Sequence, residues 1–321
     1  MTIDLITSPP NSSFSSKLPA LQLAIDSTSL GELKTCPRKY YYSIIRQRVS
    51  HEMSADLEFG LLYHAALEHY DHCRSNGEDY ETSLHSTVRY VLKHTWDFEI
   101  NKPKLVEHDY KNRSNLLRTV VWYLEQFHDE ELKTLILANG KPAVELSFKV
   151  ELDIVSKTTG ENFILCGHFD RMVEYYNSHF YILDRKTTKS TLNEDYFNKF
   201  KPDNQFTLYA FAGKIVYKTP IKGVICDAAQ VGKTFSRFER KEINMPDSFL
   251  LEFYEDLKYW LHLLEYYAVN NYWPKNEKSC GGYFGCPYRG ICSMAPSDRE
   301  PFLVGTFKTR EWNPLQARGD V

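Results

Sequence analysis

Apolar positions along this chain fall into two rhythms. From Leu57 to Cys73, and again across 80–137, they recur at the spacing of a helix face. Val88, Val91, Leu92 and Trp96 mark one stripe, and Leu116, Leu117, Val120, Tyr123, Leu124 and Phe127 the next. Ala143 to Leu152, Phe163 to Tyr175 and Phe180 to Lys186 are instead short runs of apolar, aromatic and β-branched residues, as strands are. The pattern also predicts a helix capped by Ser27 or Thr28 that ends before Cys36-Pro37, and a short helix from Arg38 toward Arg46. Further on it predicts a helix over Gln205 to Val216, a strand over Gly223 to Gln230 and a long helix over Pro246 to Asn270. Lys141-Pro142 breaks the helical stretch and Asn177-Ser178 reads as a turn.

This order of elements predicts an α/β chain of mixed α+β type with one domain over residues 21–300. A helical insertion is expected at about 75–135, a loose Ser- and Pro-rich arm over 1–20 and a tail over 301–321.

The two candidate hairpin strands carry charge where burial is expected. The first holds Gly167-His168-Phe169-Asp170, the second Asp184-Arg185-Lys186. Charge inside a buried hairpin needs a reason. Two carboxylates can hold a divalent metal beside a phosphodiester, and a lysine in the same cluster can orient a water and stabilise charge developing on phosphorus. Asp184 and Lys186 are two apart and share a strand face. Asp170 joins that face only in the right register. A strict two-residue Asn177-Ser178 loop would set it opposite Arg185, on the wrong side. The reading therefore requires a three- or five-residue loop, or a bulge.

Composition narrows the setting. Hydrophobic content of 42% in 321 residues supports a packed core. No apolar run approaches a membrane span, and the first twenty residues lack the basic start and apolar core of a signal peptide. A cytoplasmic protein is the expectation. A net charge of −3 gives no global attraction for nucleic acid, so any such site must be local. Local clusters exist: Lys34, Arg38, Lys39, Arg46 and Arg48 near the start, and Arg185, Lys186, Lys189, Lys199 and Lys201 after the acidic strand.

Other candidates stand on neighbouring elements. Glu145, in Val144-Glu145-Leu146, is either a third carboxylate facing the metal or an edge-strand acid facing water. His64 lies on the Leu57 helix. Gln205 and Tyr209 are four apart on their helix and share a face.

Taken together, these residues resemble the PD-(D/E)XK nuclease superfamily, within it the RecB-like branch of CRISPR-associated adaptation nucleases and recombination-helicase nuclease domains. Ser29-Leu30 through Leu33-Lys34-Thr35-Cys36-Pro37-Arg38-Lys39-Tyr40-Tyr41 is similar to the opening segment, and Gly60-Leu61-Leu62-Tyr63-His64 to the histidine motif. Gly167-His168-Phe169-Asp170 is similar to the first acidic motif, with Phe169 where proline is usual. Asp184-Arg185-Lys186-Thr187-Thr188 is similar to the acid-x-lysine motif, and Gln205-Phe206-Thr207-Leu208-Tyr209 to the final motif.

The resemblance implies a restriction-endonuclease-like mixed sheet flanked by helices and a metal-dependent DNA nuclease. It implies an exonuclease acting on DNA ends or single strands in recombination, repair or replication. Mg²⁺ or Mn²⁺ would be held by His64, Asp170, Asp184 and the backbone carbonyl of Arg185. Lys186 would position the attacking water, with Gln205 and Tyr209 steadying the substrate. DNA is the implied partner, with a helicase or recombination protein as a second. The alternative is a non-catalytic nucleic-acid-binding or partner-docking protein that keeps the fold.

Seven cysteines, an odd count, make a disulfide framework unexpected in a chain without an export signal. Cys73, Cys166 and Cys226 lie within apolar patterns and read as small core residues. Cys280, Cys286 and Cys292 form C-x5-C-x5-C in a Gly- and Pro-punctuated segment, and Cys36-Pro37 echoes Cys286-Pro287. The resemblance implies that one early and three late cysteines hold a [4Fe–4S] cluster. The last interval matches the family, while the first is longer than its usual two residues, which leaves structural Zn²⁺ as the alternative.

Overall fold

In the computed structural model, residues 11–51, 54–105, 108–130, 132–176, 179–218, 220–281 and 285–316 are described. The expected Asn177-Ser178 turn lies outside them.

β1 (Ala24–Ile25) leads into α1 (Ser27–Thr35). Asp26 caps this helix, one residue before the expected Ser27 or Thr28. Its carboxylate accepts the Ser29 N–H at 2.9 Å, and the Ser29 hydroxyl accepts the Asp26 N–H at 3.1 Å. That reciprocal pairing satisfies two helix-start donors at once. Pro37, at the first helical position, opens α2 (Pro37–Tyr40), and a π turn over Tyr41–Ile45 follows. β2 (Arg48–Val49) precedes α3 (Ala55–Ser75), which Ser54 caps, and α4 (Tyr80–His94), which Asp79 caps. The helical stretch expected over 80–137 is broken after His94. There β3 (Trp96–Asp97) and β4 (Lys102–Pro103) pair antiparallel before α5 (Arg113–Phe127).

Three short or long strands follow, β5 (Lys133–Thr134), β6 (Val144–Val155) and β7 (Asn162–Tyr175), and then β8 (His179–Thr188). Beyond them come α6 (Glu194–Asn198), α7 (Asn204–Tyr217), β9 (Ile221–Val231) and β10 (Ser236–Asn244). The pattern of apolar residues did not predict β10. α8 (Asp247–Val269), α9 (Arg289–Ser293), α10 (Pro296–Thr306) and β11 (Lys308–Thr309) complete the chain.

Two compact units divide these elements. One comprises Met53–Leu146 and His168–Pro246. Its sheet runs from the second part of β7 through β8 and β9 to β10, with β5 on β7. The β7–β8 and β9–β10 pairs are antiparallel, and β8–β9 is parallel across the α6–α7 connection. A parallel neighbour requires such a crossover. The sheet is therefore mixed, as expected, with helices against it. Phe59, Tyr63, Ala66 and Leu67 of α3 form a core with Val91, with Leu116, Val120 and Leu124 of α5, and with Ala229 and Val231 of β9. At Gly213 of α7 a Cβ would come within 2.8 Å of Ile182, so glycine allows this close packing of helix on strand.

The other unit comprises Met1–Glu52, Ser147–Gly167 and Asp247–Asp320. Here β1 pairs parallel with the start of β7, and β2 pairs with β11. Early and late segments are joined closely: Arg38 Nε donates to the Trp273 carbonyl at 2.6 Å, and Asn276 Nδ2 to the Thr35 carbonyl at 2.8 Å. Tyr40 and Tyr41 pack on Trp273, and Tyr42 on Tyr288.

Candidate active site

The register of the β7–β8 hairpin positions the acids. Tyr175 pairs with His179 and Arg171 with Leu183. Three residues, 176–178, therefore separate the strands, one of the two loop lengths the acidic cluster requires. Continued by one step, the register sets Asp170 across from Asp184. Both acids are buried, at 6% and 2% exposure.

Two series of hydrogen bonds and ion pairs hold the candidates. His64 Nδ1 on α3 lies 3.3 Å from Asp170 Oδ1 and 3.2 Å from Oδ2. Asp170 Oδ2 accepts the Arg185 backbone N–H at 2.7 Å. Lys186 Nζ lies 2.5 Å from Asp184 Oδ2 and donates to Gln205 Oε1 at 2.7 Å. Gln205 Nε2 in turn donates to the Tyr209 hydroxyl at 2.9 Å. Asp203 caps α7 and fixes the turn that presents Gln205. Six sequence candidates, His64, Asp170, Asp184, Lys186, Gln205 and Tyr209, are thus brought into one neighbourhood. The Arg185 backbone lies among them. Glu145 stands on β6 in left-handed backbone with φ 46°.

Electrostatics separate the two acids. Burial works against the Asp170 carboxylate, yet His64, Arg185 and the Arg185 N–H together hold its pKa well below the usual carboxylate range. Burial pushes Asp184 up to about 6; Lys186 opposes the rise and the Asp170 charge adds to it. Burial also opposes charge on His64 and Lys186, but Asp170 and Asp184 respectively outweigh it, so both pKa values are raised. Lys186 therefore remains an ammonium.

The donor set suits a hard or borderline divalent cation: one imidazole nitrogen and two carboxylates, one of them disfavoured as an anion where it stands. Among the described residues no group of three or more His, Cys, Asp or Glu side chains is disposed to hold a metal ion. Instead, His64 and Lys186 neutralise the two acids directly.

Sequence reasoning missed the ion network around Arg185. Arg185, 2% exposed, meets Asp71 Oδ2 at 2.5 Å. Asp71 stands on α3, two turns beyond His64. Arg171 Nη1 lies 3.7 Å from Asp71 and 3.0 Å from Glu130, and Arg240 reaches Glu130, Asp227 and the Tyr123 hydroxyl. The residue following each candidate acid, Arg171 and Arg185, is thus clamped by the helix that carries His64. The only sequence signal was a charge beside each acid in an otherwise apolar strand.

All seven cysteines are free thiols, and the four motif cysteines lie in the other unit. Cys36 Sγ accepts the Asn276 N–H at 3.4 Å, and the Cys286 N–H donates to the Cys280 carbonyl at 3.2 Å. Cys286 and Cys292 pack against Tyr42, Tyr288, Ile291, Leu303 and Phe307. Cys36 lies within electrostatic reach of both Cys286 and Cys292, and Cys280 within reach of Cys286. Cys73, Cys166 and Cys226 are buried.

A profile described as the PD-(D/E)XK nuclease superfamily matches residues 27–293. Among solved structures, the chain is similar to a crystal structure from Eubacterium rectale of a protein described as a candidate exonuclease. The identity is 12% and the TM-score 0.48, over 81% of this chain and 86% of that one. It is also similar to the crystal structure of SSO0001, at 12% identity and TM-score 0.34, over 85% of this chain and 87% of that one. No curated protein sequence matches. No helix among the described residues is long and apolar enough to cross a membrane.

Proposed function

The chain belongs to the PD-(D/E)XK nuclease superfamily, and we propose that it is a metal-dependent deoxyribonuclease of the RecB-like branch. In this reading it acts as an exonuclease on DNA ends or single strands. The observation that carries the reading is the bonded series from Asp184 through Lys186 to Gln205 and Tyr209.

His64, Asp170 and Asp184, with the Arg185 carbonyl, would hold Mg²⁺ or Mn²⁺; Glu145 is a further candidate carboxylate. A bound cation supplies Lewis-acid stabilisation of the charge that builds on the phosphate. Lys186, kept as an ammonium by Asp184, acts as a hydrogen-bond donor and positive charge, not as a base. Its Nζ orients the attacking water and offsets charge on the phosphoryl oxygens. Gln205 fixes the direction of Nζ, and the Tyr209 hydroxyl fixes Gln205. His64 and Arg185 keep Asp170 ionised, and the Arg185 N–H aims it. Cys36, Cys280, Cys286 and Cys292 would hold a [4Fe–4S] cluster, with Zn²⁺ as the alternative occupant, joining the late segment to the early one. A helicase or recombination protein would deliver the DNA end.

End-labelled linear and circular single- and double-stranded DNA, each with Mg²⁺ or Mn²⁺, test the proposal. Cleavage confined to linear substrates is expected. Asp184→Ala and Lys186→Ala should each lower the rate by at least ~100-fold while remaining folded. Near-wild-type turnover in either folded variant would reject the site. DNA binding without metal-dependent cleavage by the wild type would identify a non-catalytic binding protein.

A further inference from the structure

Lys199 follows α6 and is exposed, yet its ammonium is held in place. Its Nζ lies 3.7 Å from the Tyr196 ring centroid and 4.9 Å from that of Phe200. Phe200 stacks on Phe206 at 4.8 Å and 8°. The Phe206 ring carries a second ammonium, Lys186 Nζ, at 5.6 Å. Tyr196 meets Phe200 edge-on at 5.7 Å. One continuous aromatic platform of Tyr196, Phe200 and Phe206 thus bears two lysines, one of them the candidate catalytic residue. The three rings are buried, at 6%, 7% and 0% exposure, so they are not surfaces on which bases stack.

Two like charges on one platform repel. Burial lowers the Lys199 pKa and Cys226 opposes it, while Lys186 lowers it further and Asp203 opposes that. Cys226 is the β9 partner of Asp184, which places Lys199 beside the acidic strand. Tyr196 also lies within electrostatic reach of Asp184. Among the described residues Lys199 makes no ion pair. An anion between or beside the two ammoniums would relieve their repulsion, and an ammonium already seated on rings loses little side-chain freedom in binding it.

We infer that Lys199, on the Tyr196–Phe200–Phe206 platform, is a second phosphate-binding residue that takes a backbone phosphate of the DNA strand next to the scissile one. The inference rests on the nuclease reading of the Asp184–Lys186 site. A single strand carries successive phosphates and so offers each lysine its own anion, whereas a solitary phosphate offers only one. Lys199 is a substrate-binding residue, and its contribution is electrostatic and independent of base sequence.

The test uses the full chain in EDTA with a fluorescent single-stranded oligonucleotide, and measures Kd by anisotropy against KCl concentration. A strand loses a slope of about 0.7 in log Kd against log salt for each phosphate contact removed. Lys199→Gln is expected to bind more weakly at low salt and to flatten the slope by about that amount, for oligonucleotides of different sequence alike. Lys199→Arg should restore the slope. With metal present, the Lys199→Gln defect should fall on KM more than on kcat. Circular dichroism should match wild type, and melting should fall only slightly through loss of the two ring contacts. A wild-type slope in Lys199→Gln, with DNA still bound and cleaved, overturns the assignment of Lys199 and leaves the nuclease reading standing. A wild-type chain that neither binds nor cleaves DNA overturns both.

Discussion

Lys111→Met should stabilise the protein, because Lys111 is a buried ammonium with no hydrogen-bond partner among the described residues. The residue lies just before α5, is 1% exposed, and its Nζ has no hydrogen-bond partner among the described residues. Its Nζ lies over the Phe59 ring, 4.5 Å from the centroid. Burial, opposed by Asp56 and reinforced by Lys189, lowers its pKa from 10.5 to about 8. At ~1.4 kcal/mol per pH unit, that drop corresponds to ~3 kcal/mol of destabilisation while the group is charged. Below pH 8 the folded and unfolded chains both hold the proton, and this cost is fully present. Between pH 8 and 10.5 the unfolded chain holds the proton and the folded chain does not, so stability rises with pH. Above 10.5 the cost is gone. Methionine keeps the unbranched stem and removes the charge, at the loss of a cation–π contact worth ~1 kcal/mol. The net gain at pH 7 is about 2 kcal/mol. Urea unfolding of wild type and Lys111→Met at pH 7 and pH 10 checks it. The variant should be more stable at pH 7, with the advantage shrinking toward pH 10. A variant that is less stable at pH 7, or an advantage independent of pH, would show that the ammonium has a compensating partner.

Asp71→Ala would leave Arg185 and Arg171 without their shared carboxylate, and should cost roughly 3–5 kcal/mol in urea unfolding; a loss below 1 kcal/mol would mean Glu130 and Asp227 suffice. His64→Ala should weaken Mn²⁺ binding by roughly tenfold or more in calorimetry, with excess Mn²⁺ partly restoring cleavage; unchanged affinity would remove His64 from the ligand set. Protein prepared without oxygen should be brown, with visible absorption that dithionite bleaches and that Cys36→Ser lacks while Cys166→Ser keeps. Colourless protein with stoichiometric zinc would decide for Zn²⁺, and metal-free protein would reject the four-cysteine site.

Much of this molecule is written in local signals. Helical periodicity located α3, α5, α7 and α8, and the runs of β-branched and aromatic residues located β6 to β9, because both depend on neighbours a few residues away. The candidate acids, Lys186, His64 and the Gln205–Tyr209 pair were legible for the same reason: each motif lies within one element. Other local readings failed where two patterns compete. Ser27 and Thr28 are good caps, but Asp26 with Ser29 satisfies two donors, so the helix begins under Asp26. In β10 the sequence Ser236-Arg237-Phe238-Glu239-Arg240 is mostly charged, and only pairing with β9 makes it a strand. The break between α4 and α5 likewise depends on β3 meeting β4. Register was decided by tertiary structure alone. A two-residue and a three-residue loop read alike around Asn177-Ser178, but the pairs from Tyr175–His179 to Arg171–Leu183 set the register, and Asp170 and Asp184 are the next residues along the two strands. The clamp of Arg185 and Arg171 by Asp71 was equally invisible. Its partners are 114 and 100 residues apart along the chain, and no periodicity reports on a contact that only folding creates.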